Sequence, residues 1–348
     1  MATHGARGRS GGRPTLEEVA ARAGVGRGTV SRVINGSPRV SDATRAAVEA
    51  AVAELGYVPN TAARALAANR TDAIALVVPE PETRFFSEPY FSDILRGVGA
   101  ELSDTEMQLL LIFAGSDRER KRLAQYLAAH RVDGVLLVSV HADDPLPDLL
   151  AQLEIPSVIS GPRSAAETLP SVDSDNYGGG RSAAEHLLSR GRERIAHITG
   201  LPDVYGAQRR VDGYRDAMED AGREPLIEAG DFTEESGYRA AQRLLSRAPL
   251  LDAVFAGSDV MAAGARQALR EAGRRTPEDV ALVGYDDSAI ARHMDPPLTS
   301  VRQPIEEMGR HMLDLLLTEI ADRRPAVSRG LERRQIVAAT ELVVRASS

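Results

Sequence analysis

The chain has no cysteine and no tryptophan, only one lysine (Lys121) among its 42 Lys and Arg residues, and only 4% aromatic residues. Without cysteine there can be no disulfide, no thiol nucleophile and no Cys-bound metal, which fits a reducing cytoplasm. No apolar run approaches the length that crosses a bilayer, so no membrane span is expected. The opening residues, MATHGARGRSGGRP, lack the apolar core of a secretory signal. Catalytic signatures are missing as well. The seven histidines form no HExxH and no metal-ligand spacing, and there is neither a GxSxG elbow nor a Walker A loop. NYGGGRS at 176–182 lacks the phosphate-binding lysine. Asp173 and Asp175 could make a carboxylate pair, but acids near strand ends are common. No enzyme activity, metal or cofactor is expected.

What remains is 348 residues at 43% hydrophobic, enough for more than one core. The net charge of −8 is unevenly spread. Residues 1–70 hold ten arginines against five acids, which leaves −13 for the rest. A small basic head on a large acidic body points to a polyanion met by the head alone; an unevenly charged solvated surface is the plainer account.

The head reads as three helices. Residues 1–13 are Gly/Arg-rich and expected to be disordered. Thr15 is placed to cap a helix, with Glu18 three residues on completing a capping box, and Leu16, Val19 and Ala20 share one face. Gly24 stops it. A second short helix spans about Gly26 to Asn35, with Val30, Val33 and Ile34 inward. Ser41 opens a third, with Val48, Val52 and Leu55 apolar. Helix, glycine turn, helix and a closing third helix make a helix-turn-helix domain, whose second helix enters the DNA major groove. There Arg27 and Arg32 can pair with guanine edges, and Thr29 and Ser31 can reach phosphates. Gly28 in mid-helix costs about 1 kcal/mol against alanine. Close approach to DNA and mere drift both account for it.

From Thr71 onward, apolar runs alternate with helical patterns. AIALVV, QLLLIFA, GVLLVSV, PSVIS, RIAHITG, AVFAGSD and VALVGYDD read as buried parallel strands. The expected architecture is two α/β lobes carrying ligands at strand ends, preceded by the all-α head.

The segment TLEEVAARAGVGRGTVSRVINGSPRVSDATRAAVEAAVAELGYVPNTAARALA resembles the DNA-binding domain of the lactose repressor (LacI) family of bacterial regulators. RIAHITG, RRVDGYRDAM, FAGSDVMAAGARQALREAGRRTPEDVALVGYDDS and PPLTSVRQP follow in the order of that family's effector domain. The resemblance implies a head at 14–58, a hinge helix at 59–70 and a periplasmic-binding-protein-like core at 71–348. Lobe 1 would take about 71–173 and 303–328, and lobe 2 about 174–302 and 329–348. It implies DNA contacts from Thr15, Asn35, Arg39 and Asn60, with Leu66 wedged into the minor groove at the central base step. The guanine contacts expected of Arg27 and Arg32 predict a palindromic, G·C-rich operator with a central CG step at Leu66. Glycine stands at Gly26 where the family has serine, which implies a weaker helix cap. In the cleft, the resemblance assigns effector contacts to Arg210, Asp286 and Phe232. Ser258 replaces the family's usual asparagine. Glu80 follows the first strand, with Phe85, Phe86, Tyr90 and Phe91 close behind. Charged groups for hydroxyls and aromatic faces for rings suit a sugar. The likeness of GVGRGTVSRVINGS, EPETRFFSEPYF and VSVHADDPLP to actinobacterial repressors of cellulose and β-glucoside use implies cellobiose or a related oligosaccharide. The chain stops at ELVVRASS without the heptad tail of the family's tetramers, so a homodimer is expected. A corepressor-dependent, purine-type regulator and a sugar-binding protein without regulatory role are the alternatives.

Overall fold

A computed structural model describes residues 14–34, 37–57, 70–322 and 334–348. The chain divides into two compact units at Thr71/Asp72.

The first unit is the helical head. Helix α1 (Leu16–Ala23) begins at Thr15, whose Oγ accepts the Glu18 N–H while Glu18 accepts the Thr15 N–H, the reciprocal cap expected. Gly24 ends it in the left-handed conformation, where a Cβ would be strained. Helix α2 (Arg27–Ile34) follows at once, and α3 (Asp42–Leu55) starts from the Ser41 cap. Val19, Ala20, Val30, Val33, Val48 and Ala51 form the core. Val52 and Leu55 pack at its margin.

The second unit holds two six-stranded sheets. In the first, β1 (Ala73–Val78), β2 (Gln108–Phe113), β3 (Gly134–Leu137), β4 (Ser157–Ser160), β5 (Ser171–Ser174) and β11 (Gln335–Ala338) lie in the order β11-β5-β4-β3-β1-β2, all parallel. The second has β6 (Ile195–Thr199), β7 (Leu226–Ala229), β8 (Ala253–Ala256), β9 (Ala281–Asp286), β10 (Thr299–Arg302) and β12 (Glu341–Val343) in the order β12-β10-β9-β8-β6-β7. Only β12 runs antiparallel, against β10. Helices cover both faces of each sheet, so most strands are apolar throughout, as parallel sheets require.

One boundary differs from expectation. The segment 329–348 was assigned to the second lobe, but β11 pairs with β5 in the first sheet, Ser174 opposite Ala338. The chain therefore crosses between the lobes after β5, after β10 and again after β11. A four-residue strand carries too little pattern to reveal which sheet edge it will join.

Candidate functional site

On the head, α2 presents its polar face to solvent. Arg27 is exposed and pairs loosely with Glu17 of α1 at 3.0 Å. Arg32 turns back so that its Nε donates to the Gly28 carbonyl at 3.2 Å. A Cβ on Gly28 would meet only the Arg32 guanidinium, at 4.0 Å, so nothing inside the head requires glycine there. Gly26 supplies no side-chain cap; its carbonyl accepts from Thr29 and Val30. Thr29 and Ser31 are half-buried, and Arg39 is exposed beyond the helix. Thr15 is engaged in its capping box. Asn35, Asn60 and Leu66 lie outside the described residues.

In the second unit, the carboxyl ends of the two sheets face a cleft with about 820 Å³ of empty space including its mouth. Arg210 lies at its centre, on helix Tyr205–Asp220, and is 8% exposed. Its Nε donates to Asn176 Oδ1 at 2.8 Å and its Nη1 to the Gly257 carbonyl at 2.5 Å. Its guanidinium lies 3.7 Å from the centre of the Tyr285 ring. The backbone brings it there. Helices Asn176–Ser189 and Tyr205–Asp220 pack so closely that a Cβ on Gly180 would come within 2.3 Å of the Arg210 carbonyl oxygen.

Acids surround this cation. Asp173 accepts from the Asn176 side chain at 2.9 Å, and Asp286 accepts from Gln303 at 2.6 Å. Burial pushes both carboxyls up to about 6, while the charge of Arg210 pulls them down. Behind Asp286, Asp259 is pushed up to about 8 by burial and then by the Asp286 charge, and accepts from Ser300 and the Ser288 N–H. Asp286, Phe232 and Ser139 all line the cleft with positive φ, at 102°, 72° and 57°. Such strain costs on the order of 1–3 kcal/mol per residue and concentrates at binding sites.

Four expected residues thus meet in the cleft: Arg210, Phe232, Ser258 and Asp286. Ser258 caps helix Asp259–Glu271 through its oxygen, leaving its O–H to donate. Three others do not line it. Glu80 is buried beneath the wall, its Oε1 consumed by Arg84, Ser139 and His141. Phe85 packs into the first lobe's core against Phe91 and Phe113. Phe86, its helical neighbour, is 75% exposed. Consecutive residues of a helix point roughly 100° apart, so the pair cannot share one wall. The wall instead takes Arg84, Glu88 and Tyr90. Arg84 donates to Glu88 at 2.5 Å and lies 5.4 Å from the Phe232 ring centre. Burial pushes Glu88 up to about 7 against the pull of Arg84. Tyr90 shares a hydrogen bond with Ser160. An arginine four residues from each of two glutamates was the signal available for this group.

Residues 15–60 match the family model for bacterial regulatory proteins of the lacI family. Residues 71–338 match that for periplasmic binding proteins and the sugar binding domain of the LacI family. The chain is 52% identical over 340 residues to the HTH-type transcriptional regulator CelR of Thermobifida fusca, covering 96% of this chain and 98% of that one. Among solved structures, a transcriptional regulator CelR–cellobiose complex matches with a TM-score of 0.76 at 50% identity, over 97% of this chain and 100% of that one. The lac repressor dimer bound to operator and the anti-inducer ONPF matches with a TM-score of 0.83 at 27% identity, over 97% of this chain and 99% of the other.

Proposed function

Because the chain belongs to the LacI family of bacterial transcription regulators, and is a CelR-like member of it, we propose that it represses sugar-utilisation genes and leaves its operator when cellobiose or a related oligosaccharide fills the cleft. The observation that carries this reading is the set around Arg210. A buried guanidinium, two carboxylates and an amide offer both donors and acceptors to ring hydroxyls, and Phe232 and Tyr90 offer flat apolar faces. The likeness to a protein solved with cellobiose supports the choice of sugar.

The head reads DNA. Arg27 and Arg32 carry base recognition, each arginine–guanine pair being worth roughly 1–3 kcal/mol. A homodimer places two heads on a palindromic, G·C-rich operator, with a hinge at 59–70 and Leu66 at the central CG step. Gly28 puts no side chain between its backbone and DNA, and the alanine variant decides between close approach and drift. The protein acts in the cytoplasm. Sugar and operator oppose each other through a coupling free energy, so each weakens the other by the same factor.

Footprinting the protein on its own upstream region, with and without cellobiose, tests the whole. Protection of a G·C-rich palindrome, lifted by cellobiose, is the expected result. An AT-rich site overturns the arginine assignment, and protection that only appears with a purine overturns the sugar.

A further inference from the structure

His141 lies in the loop after β3, outside the set of effector contacts. Its ring spans the two lobes. Nε2 lies 2.8 Å from Glu80 Oε1, beyond the end of β1, and Nδ1 lies 2.8 Å from Asp203 Oδ2, beyond the end of β6. The next residue repeats the crossing, the Ala142 N–H donating to the Asp203 carbonyl at 2.9 Å. Ionised carboxylates only accept hydrogen bonds, so both ring nitrogens must donate and the ring is an imidazolium. Glu80 is 5% exposed and takes Arg84 and Ser139 on the same oxygen. Arg84 continues to Glu88 and over Phe232, both in the cleft wall.

We propose that His141 is a positioning residue of the effector cleft: as an imidazolium it clasps Glu80 of one lobe to Asp203 of the other, and through Glu80 it holds Arg84 against the bound sugar. Closing the lobes therefore holds a proton on His141, and opening them, which withdraws Asp203, weakens that hold. The charged groups facing the ring are Glu80, Asp203 and Asp144 of its own loop, with Arg84 behind Glu80. The hydrogen bond to Glu80, the partner Asp203 and both carboxylate charges push the imidazole up to about 9 against burial. A group raised by closure favours closure while protonated and loses that effect as pH climbs through its raised value. Glu88, raised to about 7, and Asp259, raised to about 8 behind Asp286, also change charge in the neutral to alkaline range, so the imidazole's part is the difference between the parent and a variant without it.

The sugar arm of the test rests on the sugar reading; the ligand-free arm does not. In the ligand-free arm, histidine Cε1 is labelled with carbon-13 in the full-length protein, His141 is assigned by its loss in H141Q, and its titration is followed by NMR. Because open and closed lobes exchange in the free protein, the expected midpoint lies between the ordinary value of about 6.5 and about 9 in the parent, and lower in D203N, which removes one neighbouring charge from a half-exposed site. An ordinary midpoint in the parent, or one unmoved in D203N, overturns the clasp. In the second arm, calorimetry measures cellobiose affinity from pH 7.5 to 9.5. Affinity in the parent should fall with pH, by up to about tenfold for each unit that closure adds to the imidazole's pKa. The profile of H141Q should fall less steeply, by the imidazole's share. Equal slopes in the two proteins overturn the proton linkage. If cellobiose gives no heat in the parent, the sugar reading fails, while the NMR titration still decides the clasp.

Discussion

Truncating Arg210 to alanine tests the cleft at its centre. The side chain is nearly buried and serves two acceptors, Asn176 Oδ1 and the Gly257 carbonyl, besides lying on the Tyr285 ring. Its loss leaves both acceptors short of a donor, at about 1–3 kcal/mol for each that water cannot reach. A sugar hydroxyl that accepts from the guanidinium loses a charge-assisted bond worth about 1.5–3 kcal/mol. At about 1.4 kcal/mol per decade, the cellobiose affinity of R210A should fall roughly 10- to 150-fold. The carboxyls Asp173 and Asp286 lose the cation that pulls them down and should rise further above 6. Residual binding should then change with pH around neutrality. Lysine should rescue little, because two different guanidinium nitrogens are in use. Operator binding, measured by fluorescence anisotropy, should persist in R210A, and release should need correspondingly more sugar. Calorimetry that finds R210A, folded by its melting profile, within threefold of the parent refutes this account of the cleft.

Gly28→Ala separates stability from recognition. It fills open space in a helix, so the head should gain about 0.5–1 kcal/mol in thermal unfolding while operator affinity falls; unchanged affinity returns Gly28 to drift. Gly180→Ala should do the reverse of a neutral change, since its Cβ meets backbone at 2.3 Å. Prying the two helices apart should cost about 1–3 kcal/mol and weaken sugar binding through Arg210, and a melting temperature equal to the parent's contradicts the packing. His197 is wholly buried beside Phe255 and pushed down to about 4 by burial, so the fold holds it neutral. Its depressed value means that stability is lost as pH falls from about 6.5 through 4, on the order of 3 kcal/mol in all. Denaturant melts of H197F should show a smaller loss over that range than the parent, and an identical loss assigns it to other groups.

The head was legible because its signals are local. Thr15 with Glu18, Gly24 and Ser41 each act within one turn of helix, and their spacing is enough to find them. The strands were legible because burial on both faces leaves unbroken apolar runs. The cleft was read in part. Arg210, Phe232, Ser258 and Asp286 were placed through family resemblance, not through any pattern of their own. Glu80 and the Phe85–Phe86 pair were misplaced because proximity to a strand end does not say which way a short helix turns its side chains. The His141 clasp left no trace in the sequence, since its two partners are brought to it only by the meeting of separate strand ends.

The return of β11 to the first sheet has a cost in time. Translation delivers β1 to β5 early, yet the edge of β5 receives its partner only when Gln335–Ala338 emerge, after the entire second sheet but β12. Until then Ser171–Ser174 offers a row of open backbone donors and acceptors beside buried apolar surface. The first lobe cannot mature ahead of the second, so the nascent core passes through a long, sticky adolescence in which that edge can pair with another chain.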